Sequence, residues 1–335
     1  NGILYFMPNG DLTNARIEIG TFKDTMISMT DCDYTTFKNL NFGYTGNKII
    51  DAKNTDYFTL DGCELAHTGA TAIKLSGHHT LIQNNHIYDL AGYTGIGGIH
   101  LTDSGERATL TSGGSKILNN KIHDTDVVYK VSQSPAIYIL DSVGTEISNN
   151  EIYNGTAYVI RVTDANDILI KRNEIYNAVT MSSDAGAVTW GRDITLLGFQ
   201  VIENYFHDIG NDIGIREQES TGLVCKRTGQ QALFHDDGSS GPYAYGNIFY
   251  QSRPNETINT YSSIKANGGQ YGIWENNIFI GGHTAAYFGS WRTGYNGKTV
   301  QDIWWLRQYN VYELGAEHNA DGKGGSAIYW DRISN

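Results

Sequence analysis

One short phrase recurs along most of the chain: Asn, any residue, Ile or Phe, then Tyr or His. It reads Asn85-His86-Ile87-Tyr88, Asn120-Lys121-Ile122-His123, Asn150-Glu151-Ile152-Tyr153 and Asn173-Glu174-Ile175-Tyr176. It continues as Asn204-Tyr205-Phe206-His207 and Asn247-Ile248-Phe249-Tyr250, then loosens to Asn277-Ile278-Phe279 and Asn310-Val311-Tyr312. Two degenerate copies, Leu40-Asn41-Phe42 and Cys63-Glu64-Leu65, come before it. Successive copies are never closer than 22 residues, as from Cys63 to Asn85, and the excess varies freely. A fixed minimum with variable surplus is the mark of a solenoid whose coils share a core and differ in their loops.

A coil of that length holds two or three short strands and their turns. With 39 Gly, 4 Pro and few Ala-, Glu- or Lys-rich runs, tight turns and strands are favoured over helices. The expected fold is all-β: a parallel β-helix of about ten coils with variable insertions, one domain over residues 1–335, right-handed by the resemblance given below. The Asn of each phrase is expected to take the left-handed turn conformation and to bond to its counterparts along the stack. The Ile or Phe fills the core, and the Tyr or His is read as structural, with His207 the member to check. Ile328-Tyr329-Trp330 looks like another coil starting just before Asn335, so the natural protein is expected to extend past Asn335 and before Asn1.

A formal charge of −12 argues against a nucleic-acid partner. No run approaches the ~18 apolar residues of a membrane-spanning helix. Cys32, Cys63 and Cys225 lack metal-site spacing and read as small buried residues. Oligomeric state is left open.

A second alignment bears on function. Apolar-x-apolar strands lie downstream of the phrases: Ile73-Lys74-Leu75, Ile99-His100-Leu101, Ile137-Tyr138-Ile139, Ile160-Arg161-Val162, Val188-Thr189-Trp190, Leu233-Phe234-His235, Ile264-Lys265-Ala266 and Ala286-Tyr287-Phe288. Alternation sends the middle residue of each outward. The outer face then carries Lys74, His100, Tyr138, Arg161, Thr189, Phe234, Lys265 and Tyr287, with Tyr329 of Ile328-Tyr329-Trp330 as a last member. Cations, His and aromatics together suit a carbohydrate: ring faces for pyranoses, Arg and Lys for carboxylates or sulfates. The longest insertions, including Gly92 to Gly98, Thr109 to Gly114 and Asp212 to Glu219, are candidate groove walls.

Asp236 falls two residues beyond Phe234, so it faces outward, opposite Gly191 one coil back, where open space is expected. Asp103, Asp141, Asp164 and Asp237 align at strand ends and read first as turn residues, with Arg192 neutralising its neighbours. Oxygen-only clusters suit Ca²⁺, but no Ca²⁺-loop spacing occurs, and no metal or cofactor is predicted. Asp184 is the partner candidate for Asp236, with Glu217 and Glu219 as rivals, although in extended chain Asp184 lies roughly 23 Å off in register.

Asp184-Ala185-Gly186-Ala187-Val188-Thr189-Trp190-Gly191-Arg192-Asp193 resembles a stretch of bacterial right-handed parallel β-helix carbohydrate-active proteins. Phe206-His207-Asp208-Ile209 and Asp236-Asp237-Gly238-Ser239-Ser240-Gly241 are similar to further passages of that group, which includes β-helix glycoside hydrolases such as family 141 and is related to family 120 xylosidases and to polysaccharide lyases. The departures are His235 for an aliphatic residue, Ala185 for a Gly, and a long 205–230 insertion. The resemblance implies Asp184, Asp236 and Asp237 as active-site acids in a secreted, periplasmic or cell-surface protein. His100, Tyr138, Arg161, Trp190, Arg192, Glu217, Phe234, His235 and Lys265 are the substrate-binding candidates. The leading expectation is a glycoside hydrolase using two carboxylates. The alternatives are a lyase or epimerase acting on a uronate, and a glycan-binding protein without chemistry.

Overall fold

A computed structural model describes residues 7, 10–13, 20–92, 96–127, 135–180, 185–191, 195–210, 215–219, 222–226, 230–236, 239, 241–251, 262–267, 272–281, 284–289 and 332–334. Every regular element among them is a strand. Each coil gives one strand to each of three parallel sheets, as Ile50–Lys53, Thr59–Asp61 and Glu64–Thr68 do in succession. The first sheet stacks ten strands, from Ile27–Thr30 to Thr284–Gly289, with Thr111–Ser112 added as an antiparallel partner of Ile99–Glu106. The second runs from Thr36–Lys38 to Arg332–Ser334, and the third from Asn41–Thr45 to Ile278–Gly281. The expected β-helix and its coil count are therefore present.

Alternation fills the interior. Ile87, Ile122, Ile152, Ile175, Phe206 and Phe249 line the inside of the third sheet, all buried. The phenyl rings stack in turn, Phe206 on Phe249 at 5.2 Å and Phe249 on Phe279 at 5.0 Å. Residues one coil apart occupy the same lateral position, so a repeated residue type becomes a continuous column.

The Asn of the phrase does one of its two expected jobs. Its amide forms a buried ladder: Asn85 Nδ2 donates to Asn120 Oδ1 at 2.9 Å, and the pattern repeats through Asn150, Asn173, Asn204, Asn247 and Asn277 at 2.9–3.0 Å. The left-handed turn belongs instead to the residue before it: Asn84, Asn119, Asn149, Arg172, Glu203, Gly246 and Asn276 have φ of 53–67°. The reason is geometric. The left-handed residue points its side chain out of the corner, which turns the next one inward, where an amide must find partners. Cys63 occupies the ladder position one coil before Asn85, and its backbone N–H donates to Asn85 Oδ1. Cys63 is buried as expected, whereas Cys32 is exposed.

Candidate functional site

The outer face of the first sheet is one register row. Ser28, Asp51, Lys74, His100, Tyr138, Arg161, Thr189, Phe234, Lys265 and Tyr287 are successive partners on adjacent strands. The alignment read from sequence thus holds from Lys74 to Tyr287, Asp51 extends it, and Tyr329 lies outside the described residues. Ile50-Asp51-Ala52 has the same apolar-x-apolar spelling, so the signal for Asp51 was present.

The row is less open than alternation alone implies. Asp51, Lys74, Tyr138, Arg161 and Lys265 are half-buried, but His100 and Thr189 are 8% and 6% exposed and Phe234 is fully buried. The chain at Gly186 passes so close to Phe234 that a Cβ there would stand 2.5 Å from the Phe234 Cβ. Thr189 turns its hydroxyl onto the Gly186 carbonyl at 3.0 Å instead of outward.

The aromatic faces are occupied. Tyr138 has His100 stacked on it at 5.1 Å and the Arg161 guanidinium 5.5 Å from its centroid. Arg161 also lies 5.3 Å from the Tyr158 ring, and Lys265 sits 4.7 Å from the Phe234 centroid. These are cation–π distances. The expectation that ring faces on this row receive pyranoses is corrected for two rings: Tyr138 has His100 and Arg161 on it, and Phe234 has Lys265.

Two candidates move into the core. Val162, Trp190 and His235 are register partners on the inward row, and both Trp190 and His235 have no exposed surface. Trp190 packs on Phe199 at 4.5 Å and on His235 at 5.4 Å. His235 Nε2 donates to the Ser239 carbonyl at 2.5 Å, and burial lowers its pKa to about 4. Neither can touch a substrate. The aliphatic residue expected before Asp236 would point into this same interior, which is why an imidazole can stand there only when neutral.

Asp236 is half-buried at the outer end of its strand and pairs with Gly191, as expected. The open space expected beside it is absent. A Cβ on Gly191 would lie 2.7 Å from the Asp236 carbonyl oxygen and 3.1 Å from its Cβ, so Gly191 makes room for Asp236 itself. Asp103, Asp141 and Asp164 have φ of 46–52°, which supports their reading as turn residues. Arg107, on the hairpin arm, approaches Asp164 at 3.8 Å and donates to Asn166 at 3.1 Å and Thr195 at 3.1 Å. Nothing in the repeat pointed to Arg107, because it lies in an insertion. Asp184, Asp237 and Arg192, and the side chain of Glu217, lie outside the described residues. Among those described, no three His, Cys, Asp or Glu side chains converge as metal ligands.

The Tyr and His members of the repeated phrase form a ladder on the third sheet. Tyr88, His123, Tyr153, Tyr176 and His207 stack at 4.5–5.4 Å with planes within 16° of one another. His207 is bridged to Asp208 at 2.9 Å and Glu174 at 3.3 Å. The rings cover each other's faces, so the structural reading of these residues, His207 included, is supported.

A family model described as a right handed beta helix region matches residues 25–179. A solved structure titled glycoside hydrolase is similar in fold, at 14% identity and a TM-score of 0.41, over 72% of this chain. The chain spans 38% of the length of that structure. No curated protein matches. The fold is a right-handed parallel β-helix.

Proposed function

We propose that this β-helix is a carbohydrate-active enzyme that lays an anionic glycan along the outer face of its first sheet and hydrolyses it. One observation carries the reading: on the row Lys74, His100, Tyr138, Arg161, Thr189, Phe234 and Lys265, the Tyr138 ring lies between His100 and Arg161 and the Phe234 ring under Lys265, so cationic and polar groups rather than bare ring faces line the row. Such a surface selects carboxylates, sulfates and hydroxyls over apolar ring faces. It does so on a protein of net charge −12, where a line of cations has to be a local device. In the hydrolytic reading Asp236 protonates the leaving oxygen, and Asp184 serves as nucleophile or activates water. Asp237 stays the alternative acid, and Arg192 and Glu217 contact substrate.

A second chemistry is favoured by a specific contact. The Arg161 guanidinium on the Tyr138 ring places a carboxylate-neutralising cation beside a phenol. On a uronate, that pair would stabilise the carbanion and take the C5 proton, giving elimination or epimerisation.

Product analysis separates them. Hydrolysis yields new reducing ends only, and elimination also yields unsaturated ends that absorb in the ultraviolet. Asp236→Asn is expected to lower kcat at least about 10³-fold while glycan binding persists. Full activity in Asp236→Asn would remove the hydrolytic assignment, and full activity in Tyr138→Phe the eliminative one.

A further inference from the structure

The outer row begins well away from Asp236. Asp51, Lys74 and His100 are register neighbours on three successive coils, about 4.8 Å apart. Counting coils from His100 through Tyr138, Arg161 and Thr189 to Phe234 puts this trio about 19 Å or more along the groove from the Asp236 strand.

An outward residue of a β-helix ordinarily meets water. His100 instead keeps 8% of its surface, and its Nε2 has no hydrogen-bond partner among the described residues. Asp51 Oδ1 is buried and unpartnered among the same residues, while its Oδ2 accepts from the Lys48 ammonium at 2.7 Å. Lys74 stands half-buried between them. Buried polar atoms nearly always have partners, and these two, unlike Trp190 Nε1 and His235 Nδ1 of the core, belong to outer-row residues on the strands flanking Lys74.

The charges narrow the ligand. Lys48 neutralises Asp51. Burial, and then the Lys74 charge, lower the His100 pKa to about 4, so the imidazole is neutral near pH 7. Among the described residues Lys74 makes no ion pair, although Asp103 also acts on the His100 site. The site therefore offers one cation, a carboxylate acceptor and a neutral imidazole nitrogen. That set matches a sugar unit with one acidic substituent and free hydroxyls.

We propose that Asp51, Lys74 and His100 form a distal subsite for one acidic sugar unit, and hence that the ligand is a polymer spanning the groove from this trio to Asp236. The proposal rests on the glycan reading above and adds length and position to it.

Calorimetric titration with galacturonate and mannuronate oligomers, dimer against octamer, tests it. The unsubstituted protein is expected to bind an octamer more tightly than the dimer. Lys74→Met should weaken octamer binding about tenfold. His100→Phe, which keeps the ring on Tyr138 but removes the nitrogens, should weaken it about fivefold. Tm should not fall in either variant. If the octamer is preferred and both variants bind it like the unsubstituted protein, the subsite is wrong and the glycan reading stands. If the unsubstituted protein binds no oligomer, or shows no length preference, the subsite falls; in the first case the anionic-glycan reading falls with it.

Discussion

At the scale of single residues, burial decides which polar groups can act. His235 and His100 share a lowered pKa of about 4, mainly through burial, but His235 lies in the core and His100 on the groove face. For His235 the unfolded chain, with a pKa near 6.5, binds a proton that the folded chain refuses. Its contribution to stability is thus fully present above about pH 6.5 and is lost as pH falls towards 4. The loss approaches roughly 3 kcal/mol at the acid end. His235→Leu should flatten that limb: a plot of unfolding free energy against pH should fall less steeply between pH 6.5 and 4 than in the parent. An identical slope would show that the imidazole is not held neutral.

At the scale of elements, the amide ladder pins the corner between the second- and third-sheet strands of each coil. Asn173 illustrates its economy. Its Nδ2 donates to Asn204 Oδ1 and to the Ile147 carbonyl, and its Oδ1 accepts from the backbone and side-chain amides of Asn150. Asn173→Ala removes four bonds and leaves buried partners unsatisfied, each costing about 1–3 kcal/mol. A loss of roughly 3 kcal/mol or more in denaturant unfolding is expected, against a few tenths for Asn84→Gly at the exposed left-handed position beside the ladder. Equal costs at the two sites would refute the division of labour between turn and ladder. The aromatic ladder of Tyr88, His123, Tyr153, Tyr176 and His207 has a similar role on the surface, and the Tyr176 hydroxyl adds a bond to Glu151 at 2.8 Å.

At the scale of the molecule, each coil rests on its two neighbours, so stability is a sum of nearest-neighbour terms. Ile170, buried in the second sheet between Ile147 and Val201, is a mid-stack test. Ile170→Ala should cost about 2–5 kcal/mol. Amide exchange should quicken in the coils of Ile147 and Val201 before it does near Ile50. Uniform acceleration along the stack would mean that the coils unfold as one unit. The same stacking gives the groove its length, since every added coil extends the outer row by one side chain.

Much of this was legible in the order of residues, because a parallel β-helix repeats its geometry. The phrase around Asn85, Asn120 and Asn150 set the coil period, and period-two alternation then named the outer row from Lys74 to Tyr287. Those are local rules, and in-register stacking carries them unchanged into three dimensions. Contacts between coils were not legible. That Tyr138 is sandwiched by His100 and Arg161, that the chain at Gly186 covers Phe234, and that Arg107 reaches Asp164 from an insertion depend on which surfaces meet. The sequence alone determined the fold, its register and the side chains offered on each face. Only the tertiary structure decided which of them stay accessible and charged, because burial and the neighbouring coil, not residue type, set the cost of holding a charge or an unpaired polar atom there.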